Sequence, residues 1–439
     1  MIKNKQLYLC ILSLLILIQP TLKAQQLRIT HLDSDVELNF DLSRFYNYNY
    51  YERNRWGAGL TLNVPIQHNE QYGRLQQNSV QAEAYAGWGT GDHAWKYGGQ
   101  VALVFPRNSF RRLYVGYCDD IERAGMHSFS SYNLLSVTQN SSYFTSHYSA
   151  IQRLYGGFEW DPLGPITLAA QLRYSSERLL FDADTLLYPV LNSKDALPCI
   201  RFLEGGLRLR WGNHLTLGAL LGRPLQSDAD AYGVRPYGRV VAQYARTFDL
   251  GQGKGGLLRL FVQTGTTLSD DTPLSRRFDL SGTGGSRFFF DNTLVTIMPN
   301  TFMADGYAQL TVRYQAPRPL WRTLVSNPLP FVQLSALWGT LYGSPHSDGY
   351  GYYDLLSGRP LTMQEAAGYS ASRFLMPLFA PNQGVLEPGF GFDRLLQQDY
   401  LSMGVAVAYQ LSPKKAFYYS DNFWDKFAVM LTVRVELEP

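Results

Sequence analysis

The sequence predicts an all-β chain: a single antiparallel up-and-down transmembrane β-barrel of about sixteen strands, within a range of about 14 to 18. Three observations predict it. Apolar and polar residues alternate with a period of two over segments of about ten residues, the length a strand needs to cross a membrane. Aromatics reach 14%, with 30 Tyr against 8 Trp, while charged residues fall to 17%, below the usual share of about a quarter; a wall that faces lipid sheds charges and gathers interfacial aromatics. Connection length also separates by parity along the chain, as it does where tight turns lie on one side of a membrane and long loops on the other.

At the start of the chain, Lys3 and Lys5 precede the apolar run Leu7 to Ile18, and Leu22, Lys23 and Ala24 form a cleavage site before Gln25. This order is that of a secretory signal peptide, which divides the chain into a leader over 1–24 and a barrel domain over 25–439. No later run reaches the roughly 18 apolar residues of a membrane helix. The destination is therefore the outer membrane of a Gram-negative cell, with membrane lipid and, during insertion, the barrel-assembly machinery as partners. A further periplasmic or surface protein partner is not identified by the residues. A net charge of +3 is too small to argue for nucleic acid.

The clearest stretch of strands is Val80 to Asp120, where Ala82, Ala84, Ala86 and Trp88, then Trp95, Tyr97, Gly99, Val101, Leu103 and Phe105, occupy every second position. Thr90, Gly91, Asp92 and His93 join the two runs as a tight hairpin. The first eight predicted strands cover 36–45, 54–64, 79–89, 94–105, 111–119, 150–160, 166–175 and 202–211. The second eight cover 214–221, 236–246, 257–267, 306–315, 329–339, 386–394, 400–411 and 426–437. In the last, Phe427, Val429, Leu431, Val433, Val435 and Leu437 form one face, which puts Leu431 toward lipid and Thr432 toward the lumen. The four longest connections, 120–149, 176–201, 268–305 and 340–385, all have odd numbers.

Particular motifs carry two resemblances. Tyr85-Ala-Gly-Trp-Gly-Thr-Gly-Asp-His-Ala-Trp-Lys-Tyr-Gly-Gly99, Leu113-Tyr-Val-Gly-Tyr-Cys-Asp-Asp-Ile-Glu122, Phe302-Met-Ala-Asp-Gly-Tyr307 and Glu387-Pro-Gly-Phe-Gly-Phe-Asp-Arg-Leu-Leu396 resemble, in order, a Bacteroidota outer-membrane β-barrel family of unknown function. Its longer members carry an N-terminal carboxypeptidase-regulatory-like domain. Gly306 stands where that family has arginine. The strand count and the long connection after the eleventh strand are similar, more distantly, to the barrel-assembly and two-partner-secretion translocator superfamily. There the sixth outer loop folds into the lumen and an arginine at its tip pairs with an acid of the wall. Here Arg287 matches that arginine, Phe288 stands in place of the following glycine, and Ser335 occupies the place of the strand-thirteen acid.

Arg287 is accordingly the candidate for a lumen latch, with Asp305, Glu387 or Asp393 as its carboxylate; a planar guanidinium suits a bidentate pair of this kind. A solvated loop arginine is the alternative. Asp92 with His93, and Asp119 with Asp120, would suit an outer-rim hydrolase, although turn and strand-end preferences account for the same residues. Cys118 and Cys199 are a candidate disulfide. The histidines His31, His68, His127, His147, His214 and His346 are scattered singly, so neither a metal nor another cofactor is predicted. Thr362 and Glu365 have the spacing of a capping box. The function expected is non-enzymatic: a channel, or a translocation or assembly accessory, with the long sixth outer loop folded into the lumen. A barrel-embedded protease or lipid-modifying enzyme and a secreted soluble β-rich adhesin are the alternatives.

Overall fold

Along the strand Tyr148–Leu163, Ile151, Arg153 and Tyr155 are buried while Gln152 and Leu154 are exposed, the alternation of a sheet curved around an interior. The computed structural model that shows this describes residues 26–29, 36–41, 44–49, 51–66, 78–106, 110–123, 148–180, 198–212, 214–251, 254–280, 294, 296–297, 302–323, 325–343, 350–354, 357–362, 364–365, 375–398, 401–411 and 426–435. The leader and its cleavage site lie outside these residues.

The wall is one meandering antiparallel sheet. Its first part is β1 (Gln26–Ile29), β2 (Glu37–Asp41), β3 (Tyr46–Asn49), β4 (Arg53–Pro65), β5 (Ser79–Gly89), β6 (Trp95–Val104), β7 (Phe110–Arg123), β8 (Tyr148–Leu163) and β9 (Ile166–Leu180). It continues through β10 (Ile200–Trp211), β11 (Leu215–Pro224), β12 (Tyr237–Asp249), β13 (Leu257–Thr267), β16 (Gly306–Gln315), β17 (Leu329–Thr340), β21 (Val385–Gln398), β22 (Leu401–Tyr409) and β23 (Phe427–Val435). Both β2 and β3 pair with β4, at Asp41↔Gly59 and Tyr46↔Trp56, so they are one strand with a bulge between them. With these two counted together, each of the sixteen predicted strands coincides with a strand of the wall. β1 is an addition that the periodicity did not predict.

The chemistry of the two faces decides their orientation. The buried set includes Arg153, Arg173, Glu204, Arg239, Arg313 and Gln333, whereas Leu154, Leu172, Leu207 and Leu221 are 53%, 69%, 63% and 61% exposed. A protein dissolved in water has the reverse arrangement. A polar interior and an apolar outer band are what a membrane-spanning barrel requires, since lipid offers no partner for a charge. Among the described residues no helix is long and apolar enough to cross a membrane. The side chains of Leu431 and Thr432 lie outside the described residues, but Val429 is 56% and Ala428 9% exposed, in the predicted register.

The parity of the connections holds for the longest ones, with exceptions: 66–78 and 316–328 are long for the turn side, and the hairpins at 50–52 and 90–94 are tight on the loop side. The strand ends joined across 164–165, 212–214 and 399–400 are close in sequence and share one end of the wall, whereas those joined across 124–147, 181–199, 268–305, 341–384 and 410–426 are far apart in sequence and share the other. The predicted strands before and after several long connections extend further than expected, to Arg123 and Leu180 for example. Small elements build out from that end: an α-helix α1 (Gln226–Tyr232), a two-stranded ribbon of β14 (Phe278–Asp279) with β15 (Met303–Ala304), and a three-stranded sheet of β18 (Tyr350–Asp354), β19 (Pro360–Leu361) and β20 (Leu375–Phe379). The largest apolar cluster lies where these meet the wall. In it Leu274, Phe278, Leu294, Ile297 and Phe302 of the 268–305 connection pack with Phe202, Tyr237, Leu337, Tyr353, Leu378 and Val385.

Candidate functional site

A connection rich in apolar side chains must bury them somewhere, and the inner face of the wall is the surface within reach. The 268–305 connection leaves β13 and turns through a short 3-10 segment, Leu274–Arg276, after Pro273. That turn delivers two consecutive arginines in opposite directions. Arg276 reaches the wall: its Nε donates to Oε1 of Glu204 at 2.8 Å and to the Tyr237 hydroxyl at 3.0 Å, and its Nη1 lies 2.7 Å from Oε2 of Glu177. Arg277 faces the base of its own connection and the next one. Its Nε lies 3.3 Å from Oδ1 of Asp305, and its Nη2 donates to the carbonyls of Asp270 at 2.9 Å and Gly358 at 2.8 Å.

Glu204 is the hub. It projects inward from β10, and Arg173 of β9 holds it in a fork, Nε to Oε2 at 2.6 Å and Nη2 to Oε1 at 3.0 Å. The Tyr237 hydroxyl donates a short hydrogen bond to the same carboxylate. Arg276 also lies 5.1 Å over the ring of Phe202, an added cation–π contact. Burial alone would push the Arg276 guanidinium down, but the carboxylates of Glu177 and Glu204 outweigh it and hold it well above its ordinary value. The group therefore stays charged, and its burial is tolerable because carboxylates answer it.

The second arginine has a weaker answer. Asp305, at the foot of β16, accepts from the backbone N–H of Tyr342 at 2.9 Å and from the Thr267 hydroxyl at 3.4 Å. Burial nonetheless raises its carboxyl to about 6, with Arg277 offsetting only part of the effect. The contact between the two long connections depends on Gly358. It adopts φ +71°, and a Cβ there would lie 2.0 Å from the carbonyl oxygen of Thr272, so no other residue fits.

The residues singled out from sequence are spread over loop and wall. Arg287 lies outside the described residues; among the described residues of its connection, Arg276 and Arg277 are brought to buried acids. Of the three acids, Asp305 is Arg277's partner. Glu387 stands in register with Ser335 on the neighbouring strand and accepts from the backbone N–H and hydroxyl of Thr296 at 2.8 and 2.5 Å, a third tether of the same connection. Asp393 belongs to the wall, where Arg313 donates to it at 2.5 Å. The disulfide is not formed: Cys118 is buried, Cys199 is exposed and both are free thiols. Asp92 binds Lys96 at 2.7 Å, Asp120 binds Arg55 at 2.5 Å and the Tyr85 hydroxyl at 2.6 Å, and Asp119 accepts from Gln152 at 3.0 Å. Thr362 and Glu365 form the reciprocal capping box, at 2.8 and 3.2 Å. Among the described residues no group of His, Cys, Asp and Glu is arranged to hold a metal ion.

Sequence reasoning missed Arg173, Glu177, Glu204 and Arg276. Glu204 carried a signal, since it shares the face of Phe202 and Gly206 in a strand whose other face, Leu203 and Leu207, is apolar. Glu177 lies beyond the predicted end of its strand and carried none.

No protein-family model matches the chain, and no curated protein does. Solved structures match the chain at low identity. BamA from Haemophilus ducreyi, lacking POTRA domains 1–3, is 9% identical with a TM-score of 0.47, over 91% of this chain and 70% of that one. CdiB from Escherichia coli is 11% identical with a TM-score of 0.44, over 92% of this chain and 63% of that one. The siderophore receptor PirA from Pseudomonas aeruginosa is 11% identical with a TM-score of 0.26, over 86% of this chain and 65% of that one.

Proposed function

We propose that this chain is an outer-membrane barrel that serves as a gated channel or translocation accessory, with the 268–305 connection as its luminal plug. The observation that carries the reading is the double clamp on Arg276, where Glu177 and Glu204 at 2.7 and 2.8 Å draw a loop segment onto the inner wall. The long connections then lie on the cell surface and the tight turns in the periplasm. A plug held by buried ion pairs is a two-state device. With the loop away, Glu204 keeps Arg173 but Glu177 loses Arg276, and a buried charge left without its partner costs several kcal/mol in a dry site, so the loop stays seated until a ligand or partner supplies competing contacts.

Conductance in planar bilayers tests the reading. Wild-type protein should show small or rare openings, Arg276→Met larger or noisier ones, and a chain lacking 270–302 a steady large conductance. Identical traces from all three would remove the plug, and the transport reading with it. Fractionation tests the location: the mature chain, beginning at Gln25, should be recovered with outer membranes and not in the soluble periplasm.

A further inference from the structure

The edge of the first barrel strand carries a second feature, independent of the plug. β2 has a neighbour on each side. On one side Glu37–Asp41 pair with Asn63–Gly59 of β4. On the other, Asp41, Phe40, Asn39 and Leu38 pair with Gln26, Leu27, Arg28 and Ile29 of β1. A strand has only two edges, so over Leu38 to Asp41 the first strand of the barrel has no free edge left to offer the last. We infer that residues 26–29 are a seam strand: over Leu38 to Asp41 the wall closes through this segment, in place of a direct pairing of first with last strand.

Two arguments support it. The first is the register of backbone partners. Leu27 and Ile29 fall opposite Phe40 and Leu38, which in turn stand beside Leu60 and Leu62 of the lipid-facing row, 41% and 37% exposed. Gln26 and Arg28 fall opposite Asp41 and Asn39. A one-residue slip would exchange the rows, so the match is not automatic. The second argument is parity. β1 runs antiparallel to β2, and by alternation the sixteenth strand, β23, also runs antiparallel to the first. The segment and β23 therefore point the same way, and closure between them is a parallel pairing. Parallel ladders are slightly weaker per residue than antiparallel ones, and this one involves a segment of four residues. The lower part of the seam is thus the weakest line of the wall, held by a strand short enough to detach.

Cysteine cross-linking tests this in the full chain, in outer membranes, with Cys118 and Cys199 changed to Ala. Directly opposed antiparallel residues have Cα atoms about 4.5 or 5.5 Å apart in alternation, within the range a disulfide spans. Leu27→Cys with Phe40→Cys and Arg28→Cys with Asn39→Cys sample both spacings. On mild oxidation at least one pair should give a mobility change that reductant reverses, while Leu27→Cys with Leu60→Cys, in line one strand further, should give none. The complementary set combines Phe40→Cys with cysteine at Val429, Leu431 or Val433. It should cross-link only after 26–29 are deleted. Heat-modifiable mobility reports in each variant that the barrel is folded. Absence of both β1 cross-links in folded protein, or a cross-link from Phe40→Cys to the last strand in the intact chain, overturns the inference.

Discussion

Arg276 and Glu204 stand 72 residues apart in sequence and meet at 2.8 Å, with side chains 4% and 0% exposed. A carboxylate so placed is shared: Arg173 and Tyr237 hold it as well. Replacing it should therefore cost more than replacing any one partner, because Glu204→Ala takes the carboxylate from Arg173 and leaves Arg276 with Glu177 alone. The expected loss is about 3–5 kcal/mol, seen as a lower midpoint in urea-driven barrel unfolding. Arg173→Ala leaves Glu204 with Arg276 and should cost clearly less. Equal losses from the two would mean that water reaches the cluster.

Gly358 gives a test of how the two long connections are joined. Gly358→Ala places a methyl group against the Thr272 carbonyl at an unfavourable φ, which should cost more than about 1 kcal/mol locally. The barrel should still insert, but external protease should cut the 341–384 connection faster than in the wild type. Unchanged cleavage would show that the junction yields without opening.

Asp305 sets a pH dependence. Its carboxyl is raised from 3.8 to about 6 by burial, so the folded chain holds this proton more tightly than the unfolded one. The resulting stabilisation is complete below pH about 4 and is lost as pH rises through about 6. The gap corresponds to roughly 3 kcal/mol. Thermal midpoints of the wild type should fall across that window relative to Asp305→Asn, which lacks the titration. Parallel curves for the two proteins would place the carboxyl in a wetter site.

Arginine substitutions should separate by face. Leu172, 69% exposed on β9, faces lipid, and Leu172→Arg should lower folding stability by roughly 2–4 kcal/mol if it sits near the midplane. Its neighbour Gln171 is buried on the inner face, where Gln171→Arg keeps a polar group among polar groups. Heat-modifiable mobility after refolding into vesicles reads the difference; the reverse order would invert the assignment of faces.

The wall was legible because its determinant is local. Leu203, Leu207, Val429 and their alternate neighbours declare their faces within a few residues, and the tight turns at 164–165 and 212–214 fix where one strand gives way to the next. β1 escaped because four residues are too few to show a period. The clamp was legible only in part. Asp305 and Glu387 stood out as acids at the ends of strands, and both do tether the long connections. The choice of Arg276 was not readable, since a glycine-rich stretch around Arg287 is the more conspicuous signal and the true criterion is where a 3-10 turn lands against β9, β10 and β12. That depends on the curvature of a sheet assembled from distant segments.

Arg276 and Arg277 share a peptide bond, and this has a mechanical meaning. A trans peptide fixes their Cα atoms about 3.8 Å apart, yet one is moored to Glu177 and Glu204 and the other to Asp305 and the Gly358 carbonyl. The pair acts as a toggle pin between wall and surface. A pull on the 341–384 connection from outside is transmitted through one rigid link to the acids of β9 and β10, and strain relieved at either mooring lowers the force needed to break the other. Reciprocity of linkage applies to the coupling between the two: whatever free energy release of the inner mooring contributes to release of the 341–384 connection, release of that connection contributes equally to release of the inner mooring.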